Sequence, residues 1–368
     1  MLMKVCMSFN NIASYRKAIY KMIDKEFDCD WYIEKNGSKV PPFAESELKK
    51  VCWLTRLELG PFYWERSLIK LLHKDYDVYF MYGTTRNISL FFFCLLKRLF
   101  YPAKRIYFWT HGFYGKESKI ELLLWKRPLF RLPDGLFTYG DYAKKIMVEC
   151  GFDANRIFPI HNSLDYDTQF KLRLQLKSSD IYKKHFKNEN PILIFIGRLT
   201  RVKRLDMLIN AVATLKKNGE EYNVVFVGDG TERETLANLV EQKELSQQVW
   251  FYGACYDENE NANLVFNADL CVAPGNIGLT AVHCLMFGCP AMSHNNFSMQ
   301  MPEFEVIKPG QTGDFFEYDD INSIVNTISK WFREHKKDRN LVREACYRIV
   351  DTEWNPGYQI EIIKKNLK

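Results

Sequence analysis

The stretch from Ile192 to Ala211 reads Ile-Leu-Ile-Phe-Ile-Gly-Arg-Leu-Thr-Arg-Val-Lys-Arg-Leu-Asp-Met-Leu-Ile-Asn-Ala. Its first part, Ile192–Ile196, is a continuous apolar run, the pattern of a strand buried on both faces. Gly197 then lets the backbone turn sharply and approach a ligand closely. Arg198 presents a planar fork that can hold two phosphate oxygens, and Lys203 adds a compact second charge. An amphipathic helix follows, roughly Arg204–Lys217. Strand, glycine, two cations and helix together suit a diphosphate better than they suit a solvated basic loop.

The same grammar continues on both sides. Behind it come strand-like runs at Asn223–Val227, Val249–Tyr252, Leu270–Ala273 and Pro290–Ser293, the first ending at Gly228-Asp229-Gly230. A polar helix is expected through Glu234–Glu241 and another over about Leu279–Phe287, stopped by Gly288. Ahead of it, Lys4–Phe9, Cys29–Ile33, Val78–Met81, Arg105–Trp109, Gly135–Tyr139 and Ile157–Ile160 read as strands, with a helix near Ala13–Ile23. Apolar strands separated by helical segments point to parallel sheets covered on both faces, so the class is α/β. The pattern restarts after the turn signal Lys187–Pro191, which gives two similar halves. In such sheets ligands bind beyond the carboxyl ends of strands, where His111, Arg198, Gly228 and Gly275 fall.

A second informative segment, Ala273 to Pro290, reads Ala-Pro-Gly-Asn-Ile-Gly-Leu-Thr-Ala-Val-His-Cys-Leu-Met-Phe-Gly-Cys-Pro. A glycine-rich turn opens a helix after a strand. The free N–H groups of Gly278, Leu279 and Thr280 could cradle phosphate there. His283, one turn further in, is either a core histidine or a ligand contact. The dinucleotide-binding spacing Gly-x-Gly-x-x-Gly appears nowhere in the chain.

These two segments, in this order and separation, resemble glycosyltransferase family 4, the retaining nucleotide-sugar enzymes, here of bacterial surface-polysaccharide type. The resemblance covers nearly all of residues 188–330 and fades toward the front, where Thr110-His111-Gly112 and His161-Asn162-Ser163 still fit. It implies the GT-B fold: two facing Rossmann-like domains with an interdomain cleft. The front domain, 1–168 completed by a helix at 355–368, would bind the acceptor. The rear domain, 169–354, would bind the nucleotide sugar. Arg198 and Lys203 would neutralise the leaving diphosphate, with Gly197 and Gly278 to Thr280 lining it, and His111 would face the donor sugar. Glu305, with Gly310 and Gly313, fits the family's glutamate-then-glycines loop, and Glu303 offers an alternative placement. Tyr15 and Arg16, after the first strand, stand where acceptor contacts occur in the family, although Arg16 could equally sit on a solvated helix face.

One departure is plain. The family carries two glutamates separated by seven residues, and aligning on Gly278 puts Gly275 and His283 in their places. In the family the second glutamate grips the ribose hydroxyls, so His283 would bind differently. Asn276, beside the gap, would substitute for the first. The implied reaction is transfer of a sugar, with retention, from a nucleoside-diphosphate sugar to a hydroxyl of a lipid-linked saccharide acceptor. UDP is favoured over GDP, and no cofactor or metal is expected. The alternatives are a sugar-nucleotide epimerase of the same fold and a degenerate member that only binds nucleotide.

Composition sets the outer bounds. The chain has 368 residues, 47% hydrophobic and 26% charged, which is ordinary for a folded protein of two domains. No apolar run approaches the ~20 residues a membrane-crossing helix needs. The start lacks a signal-peptide layout. Ten cysteines without Cys-x-x-Cys spacing read as free thiols in a reducing compartment, so a cytoplasmic location is expected. Residues 1–170 carry a net +7, residues 171–187 +5 and residues 188–368 −6, which suggests different partners for the two halves. Residues 94–133 interleave nine basic side chains with aromatics. They could rest on an anionic membrane from the cytoplasmic side or form a buried helix with a charged rim. No nucleic-acid motif accompanies them. Three Asp-x-Asp triplets, at Asp28, Asp75 and Asp165, read as turn residues rather than metal ligands.

Overall fold

A computed structural model describes residues 2–34, 47–335 and 339–367. The chain divides into two compact units, Met1–Asp165 with Asn355–Lys368, and Tyr166–Trp354. The division falls at 165/166, against the expected 168/169. Tyr166 opens a helix, Tyr166–Arg173, that belongs to the second unit, where Tyr166 Oη and the Arg173 guanidinium both donate to Asp351.

The first unit holds strands β1 (Lys4–Phe9), β2 (Asp28–Glu34), β3 (Val51–Leu54), β4 (Arg56–Leu59), β5 (Phe62–Glu65), β6 (Val78–Tyr82), β7 (Arg105–Thr110), β8 (Gly135–Thr138) and β9 (Ile157–Pro159). Seven of them form one sheet in the order β3-β2-β1-β6-β7-β8-β9, with every pairing parallel. β4 and β5 form a separate antiparallel hairpin. The sheet interior is aromatic, with Trp31, Phe80, Phe108, Trp109 and Phe137 all fully buried. The chain's last helix, Pro356–Asn366, returns to this unit: Ile363 and Leu367 join Ile19 and Ile23 in its core, and Lys364 pairs with Glu26 at 2.8 Å. Lys368, the end of the expected closing helix, lies outside the described residues. Gln359 fixes the return by donating to the His161 carbonyl and accepting from Ser163 Oγ.

The second unit repeats the design with β10 (Ile192–Ile196), β11 (Asn223–Val227), β12 (Val249–Gly253), β13 (Leu270–Ala273), β14 (Ala291–His294) and β15 (Gly313–Phe316). Their order is β12-β11-β10-β13-β14-β15, again parallel throughout. Strand order therefore reverses between β1 and β6 in one unit and between β10 and β13 in the other. Such switch points open crevices for ligands at the carboxyl ends of the strands. The expected strands are all present, with ends shifted by a residue or two. Sequence reading missed β3, the β4–β5 hairpin and β15, as well as the helices Glu258–Asn267, Ile321–His335 and Arg339–Glu353.

The hairpin is tied to the sheet through buried charge. Arg56 Nη1 donates to Glu34 at 2.7 Å, Asn87 Nδ2 donates to Glu65 at 2.7 Å, and the two carboxyls hydrogen-bond each other. Burial and the Glu34 charge push the Glu65 carboxyl well above the usual carboxylate range, so it holds the shared proton. Two of the three acidic triplets, those at Asp28 and Asp75, lie at the opposite, amino end of the sheet, where Lys4 pairs with Asp75 and Lys50 with Asp30; the third straddles the start of the helix Tyr166–Arg173.

Candidate functional site

In the second unit the predicted diphosphate residues converge at the β10/β13 switch point. Gly197 (φ 145°) and Gly228 (φ 142°) end β10 and β11. A Cβ at Gly228 would lie 1.9 Å from the Gly197 carbonyl oxygen, and one at Gly230 would lie 2.3 Å from that of Leu199. The two turns interlock through Gly197 N–H to Val227 and Leu199 N–H to Asp229. Only glycine permits that approach, so the loop carrying Arg198 is fixed by backbone, while Arg198 itself stays exposed.

Lys203 closes the short turn Arg201–Lys203. Its Nζ donates to the Asn276 carbonyl at 2.6 Å and to the Asn276 side-chain oxygen at 2.8 Å. Burial pulls the amine down to about 8; Arg198 pulls the same way and Glu303 opposes it. Lys203 is therefore an aimed cation on the edge of losing its charge. Asn276 holds the lysine, a role distinct from the sugar contact expected for it. Glu303, 3% exposed, is the carboxylate acting on Lys203, while Glu305 sits half-buried two residues on in the same turn, Pro302–Val306.

Gly275 explains the departure noted in the sequence. A Cβ there would lie 2.0 Å from the Val202 carbonyl oxygen and 2.7 Å from the Lys203 Cα. The turn that presents Lys203 thus occupies the space a glutamate would need. Gly278 (φ 60°) caps the helix Leu279–Met286, whose first N–H groups have no helical partner. Thr280 Oγ1 donates to the Ile196 carbonyl at 2.8 Å and locks this helix start to the end of β10. Two residues missed by sequence reading hold the 273–278 loop. Ser293 Oγ donates to the Ala273 and Gly275 carbonyls, and Gln300 joins Ser293 to the Ile277 N–H. Their signal was lost because a lone serine and glutamine in a loop have no spacing to read.

His283 is engaged elsewhere. Its Nε2 lies 2.8 Å from Glu258 Oε1, which also accepts from Gln169 Nε2 at 2.8 Å. Burial would raise the Glu258 carboxyl, but these bonds and the His283 charge hold it below the usual range.

In the first unit, His111 follows β7 in a turn where Thr110 Oγ1 donates to the Gly83 carbonyl and accepts from Gly112 N–H. Its ring packs 4.5 Å from Tyr139. Burial, then the positive charges of Arg16 and Lys126, pull its pKa down to about 3, so it is neutral at any working pH. It can donate or accept one hydrogen bond per nitrogen but cannot serve as a cation. Arg16 ends the turn Ser14–Arg16 with its guanidinium 4.7 Å from the Tyr139 ring, and Tyr15 stands beside it. Arg16 is thus not on a solvated helix face.

Comparison with known proteins agrees with this layout. Residues 177–346 match the family model described as glycosyl transferases group 1. An uncharacterized 41.2 kDa protein in the cps region of Klebsiella pneumoniae is 25% identical over 237 residues, 62% of this chain and 60% of that protein. EpsD of Bacillus subtilis, named as a glycosyltransferase, is 27% identical over 252 residues, 66% of this chain and 64% of its own length. The chain thus spans a little under two thirds of these relatives. Among solved structures, Anabaena HepE in complex with UDP superposes with TM-score 0.71 at 16% identity, covering 99% of both chains. The lipopolysaccharide outer core galactosyltransferase WaaB gives 0.72 at 14%, also over 99% of both. Residues 177–346 thus resemble the glycosyl transferases group 1, and the chain has the GT-B fold of these solved structures.

Proposed function

We propose that this protein is a retaining glycosyltransferase. It moves a sugar from a nucleoside-diphosphate sugar to a hydroxyl of a lipid-linked saccharide in surface polysaccharide biosynthesis. The observation that carries the reading is Lys203, held by both oxygens of Asn276 beside Arg198 and the start of the helix Leu279–Met286. As the bond from the anomeric carbon to the diphosphate breaks, negative charge grows on the leaving oxygen. Arg198, protonated Lys203 and the N–H groups of Gly278 to Thr280 stabilise it. The leaving phosphate takes the proton of the attacking acceptor hydroxyl, so no protein base is needed. Gly275 supplies no carboxylate nucleophile, which favours a mechanism without a glycosyl-enzyme intermediate. No metal enters these steps, since the cations are side chains.

The donor assignment follows HepE, solved with UDP and with UDP-glucose. The polysaccharide setting follows the cps-region relative and WaaB. The test is sugar release from UDP- and GDP-hexoses, with and without a polyprenyl-diphosphate saccharide, in EDTA and in Mn²⁺. Acceptor-dependent release that survives EDTA and is lost in Arg198→Ala supports the reading. Conversion of the donor to its epimer without acceptor, with no sugar released, would make the protein an epimerase, and nucleotide binding without any turnover a degenerate member.

A membrane surface is part of the proposal. No helix among the described residues is long and apolar enough to cross a bilayer. The helical stretch 119–130 instead exposes Ile120, Leu123, Leu124 and Trp125, each by 49–68%. Trp125 packs on Phe62 of the β4–β5 hairpin at 5.1 Å, and Trp64 of the same hairpin packs on Phe92 at 5.7 Å, so the apolar area is continuous. Monomeric proteins rarely expose such patches without a use. With its surrounding lysines and arginines it suits the anionic inner leaflet. Leu123→Ser with Trp125→Ser should release the protein from vesicles of phosphatidylglycerol while leaving UDP binding unchanged; unaltered sedimentation with the vesicles would refute the surface.

A further inference from the structure

The first unit contains a cluster of polar groups whose bonding is incomplete. Arg16 lies over three rings, Tyr139 at 4.7 Å, Tyr15 at 5.3 Å and Trp109 at 5.7 Å. Its polar neighbours are tyrosine hydroxyls, and no carboxylate pairs with it among the described residues. Arg16 Nε, Trp109 Nε1, His111 Nδ1 and Tyr139 Oη are all buried without a hydrogen-bond partner. Trp109 and Tyr139 are 0% and 1% exposed, so bulk water does not satisfy them. Folded proteins leave few such atoms, and four in one ring cluster mark a place that a ligand completes.

The chemistry of the set identifies the ligand. A guanidinium and an indole N–H only donate, a phenol donates readily, and neutral imidazole can present N–H from Nδ1. The cluster is therefore a donor set around one uncompensated positive charge. Arg16, His111 and Tyr139 follow the carboxyl ends of β1, β7 and β8, and Trp109 is the last residue but one of β7, so the cluster sits at the ligand-binding edge of the sheet. A neutral saccharide would satisfy some donors but leave the charge unmatched. An oxyanion with several acceptor oxygens satisfies both.

We propose that Arg16, Trp109, His111 and Tyr139 bind an anionic group, phosphate or carboxylate, carried by the acceptor saccharide. The word acceptor rests on the transferase reading above; the anion-binding cluster does not.

Calorimetric titration of the full chain tests it, with glucose 1-phosphate, glucuronate, methyl α-glucoside and inorganic phosphate as probes and UDP titrated separately. At least tenfold tighter binding of an anionic sugar than of methyl α-glucoside is expected. Arg16→Gln should abolish that preference, Arg16→Lys restore part of it, and Trp109→Phe weaken it less, all with UDP affinity unchanged. The order of glucose 1-phosphate and glucuronate tells phosphate from carboxylate. The unliganded Arg16→Gln protein should melt within a few degrees of the wild type, because relief of the buried unpaired charge offsets the ring contacts it loses. Failure of both anionic sugars to bind at millimolar concentration overturns the proposal. So does an unchanged preference in Arg16→Gln, or a melting temperature lowered by several degrees in that variant, which would make Arg16 a structural residue. Inorganic phosphate binding as tightly as either sugar overturns the acceptor part. Loss of UDP binding in the wild type would sink the transferase reading while leaving the anion preference measurable.

Discussion

The two units place cations at equivalent ends of similar sheets but hold them by opposite means. In the second unit Lys203 is gripped by two oxygens of Asn276, on turns packed so closely that glycine is required at 228, 230 and 275. In the first unit Arg16 floats among aromatic rings with its neighbours' donors unmet. A cation fixed by backbone is ready to act on one fixed feature, such as a diphosphate common to every donor. A cation cradled by rings keeps its hydrogen-bonding capacity for a ligand that varies between relatives. The contrast assigns rigidity to the turns around Lys203 and adaptability to the rings around Arg16, within each unit taken alone.

The contrast can be broken most directly at Lys203. Lys203→Ala should lower kcat by about 10²–10³-fold, the range seen when a preorganised charge-stabilising donor is removed. A loss under tenfold in steady-state transfer would mean the lysine is merely structural. Next comes the backbone interlock. Gly228→Ala forces a Cβ against the Gly197 carbonyl at a left-handed φ and should cost about 2–4 kcal/mol by denaturant unfolding. Gly219→Ala shares a left-handed φ (82°) but meets nothing within 4 Å, so it should cost only about 1–2 kcal/mol. Equal costs would remove the argument from close approach.

A third prediction uses pH. On the proposed function the protonated Lys203 is the form that would bind phosphate, and its population falls as pH rises through about 8. UDP affinity should hold below pH 7 and fall above about 8, by at most tenfold per unit. Lys203→Arg should flatten that fall, and a persistent slope in it would assign the titration to another group. The first unit offers the mirror case. The folded-state pKa of Glu65 is raised above its unfolded value, so the native state binds an extra proton. The stability it contributes is full at acid pH and is lost as pH rises from about 4.5 through the raised value. Glu65→Gln keeps a hydrogen-bonding group but removes the charge, so it should change the melting temperature little at pH 4.5. At pH 8 it should raise stability by roughly 1 kcal/mol. A stabilisation that is the same at both pH values would show that no proton is shared.

Much of this was legible before any coordinates. Continuous apolar runs such as Ile192–Ile196 and Asn223–Val227 fall at their observed limits because strands buried on both faces admit nothing else. Gly197, Arg198 and Lys203 were readable because the strand–glycine–cation order is local. The hairpin β4–β5 was not, since its Leu57 and Leu59 face outward and its anchors, Glu34 and Asn87, are distant in sequence. His283 read by position as either a core histidine or a ligand contact, and its Nε2 pairs with Glu258, a partner that no local spacing encodes.

By itself the sequence determined two parallel α/β units, a glycine-led cationic turn after β10 and the absence of the glutamate pair, because strand period, turn chemistry and charge are properties of neighbouring residues. Only tertiary structure decided why Gly275 cannot be a glutamate, that the Lys203 amine is pulled down to about 8, and that Arg16, Trp109, His111 and Tyr139 share one cluster of unmet hydrogen bonds. Each of these depends on the burial and close approach of segments far apart in the chain, and burial is what sets both a pKa and the cost of an unmet hydrogen bond.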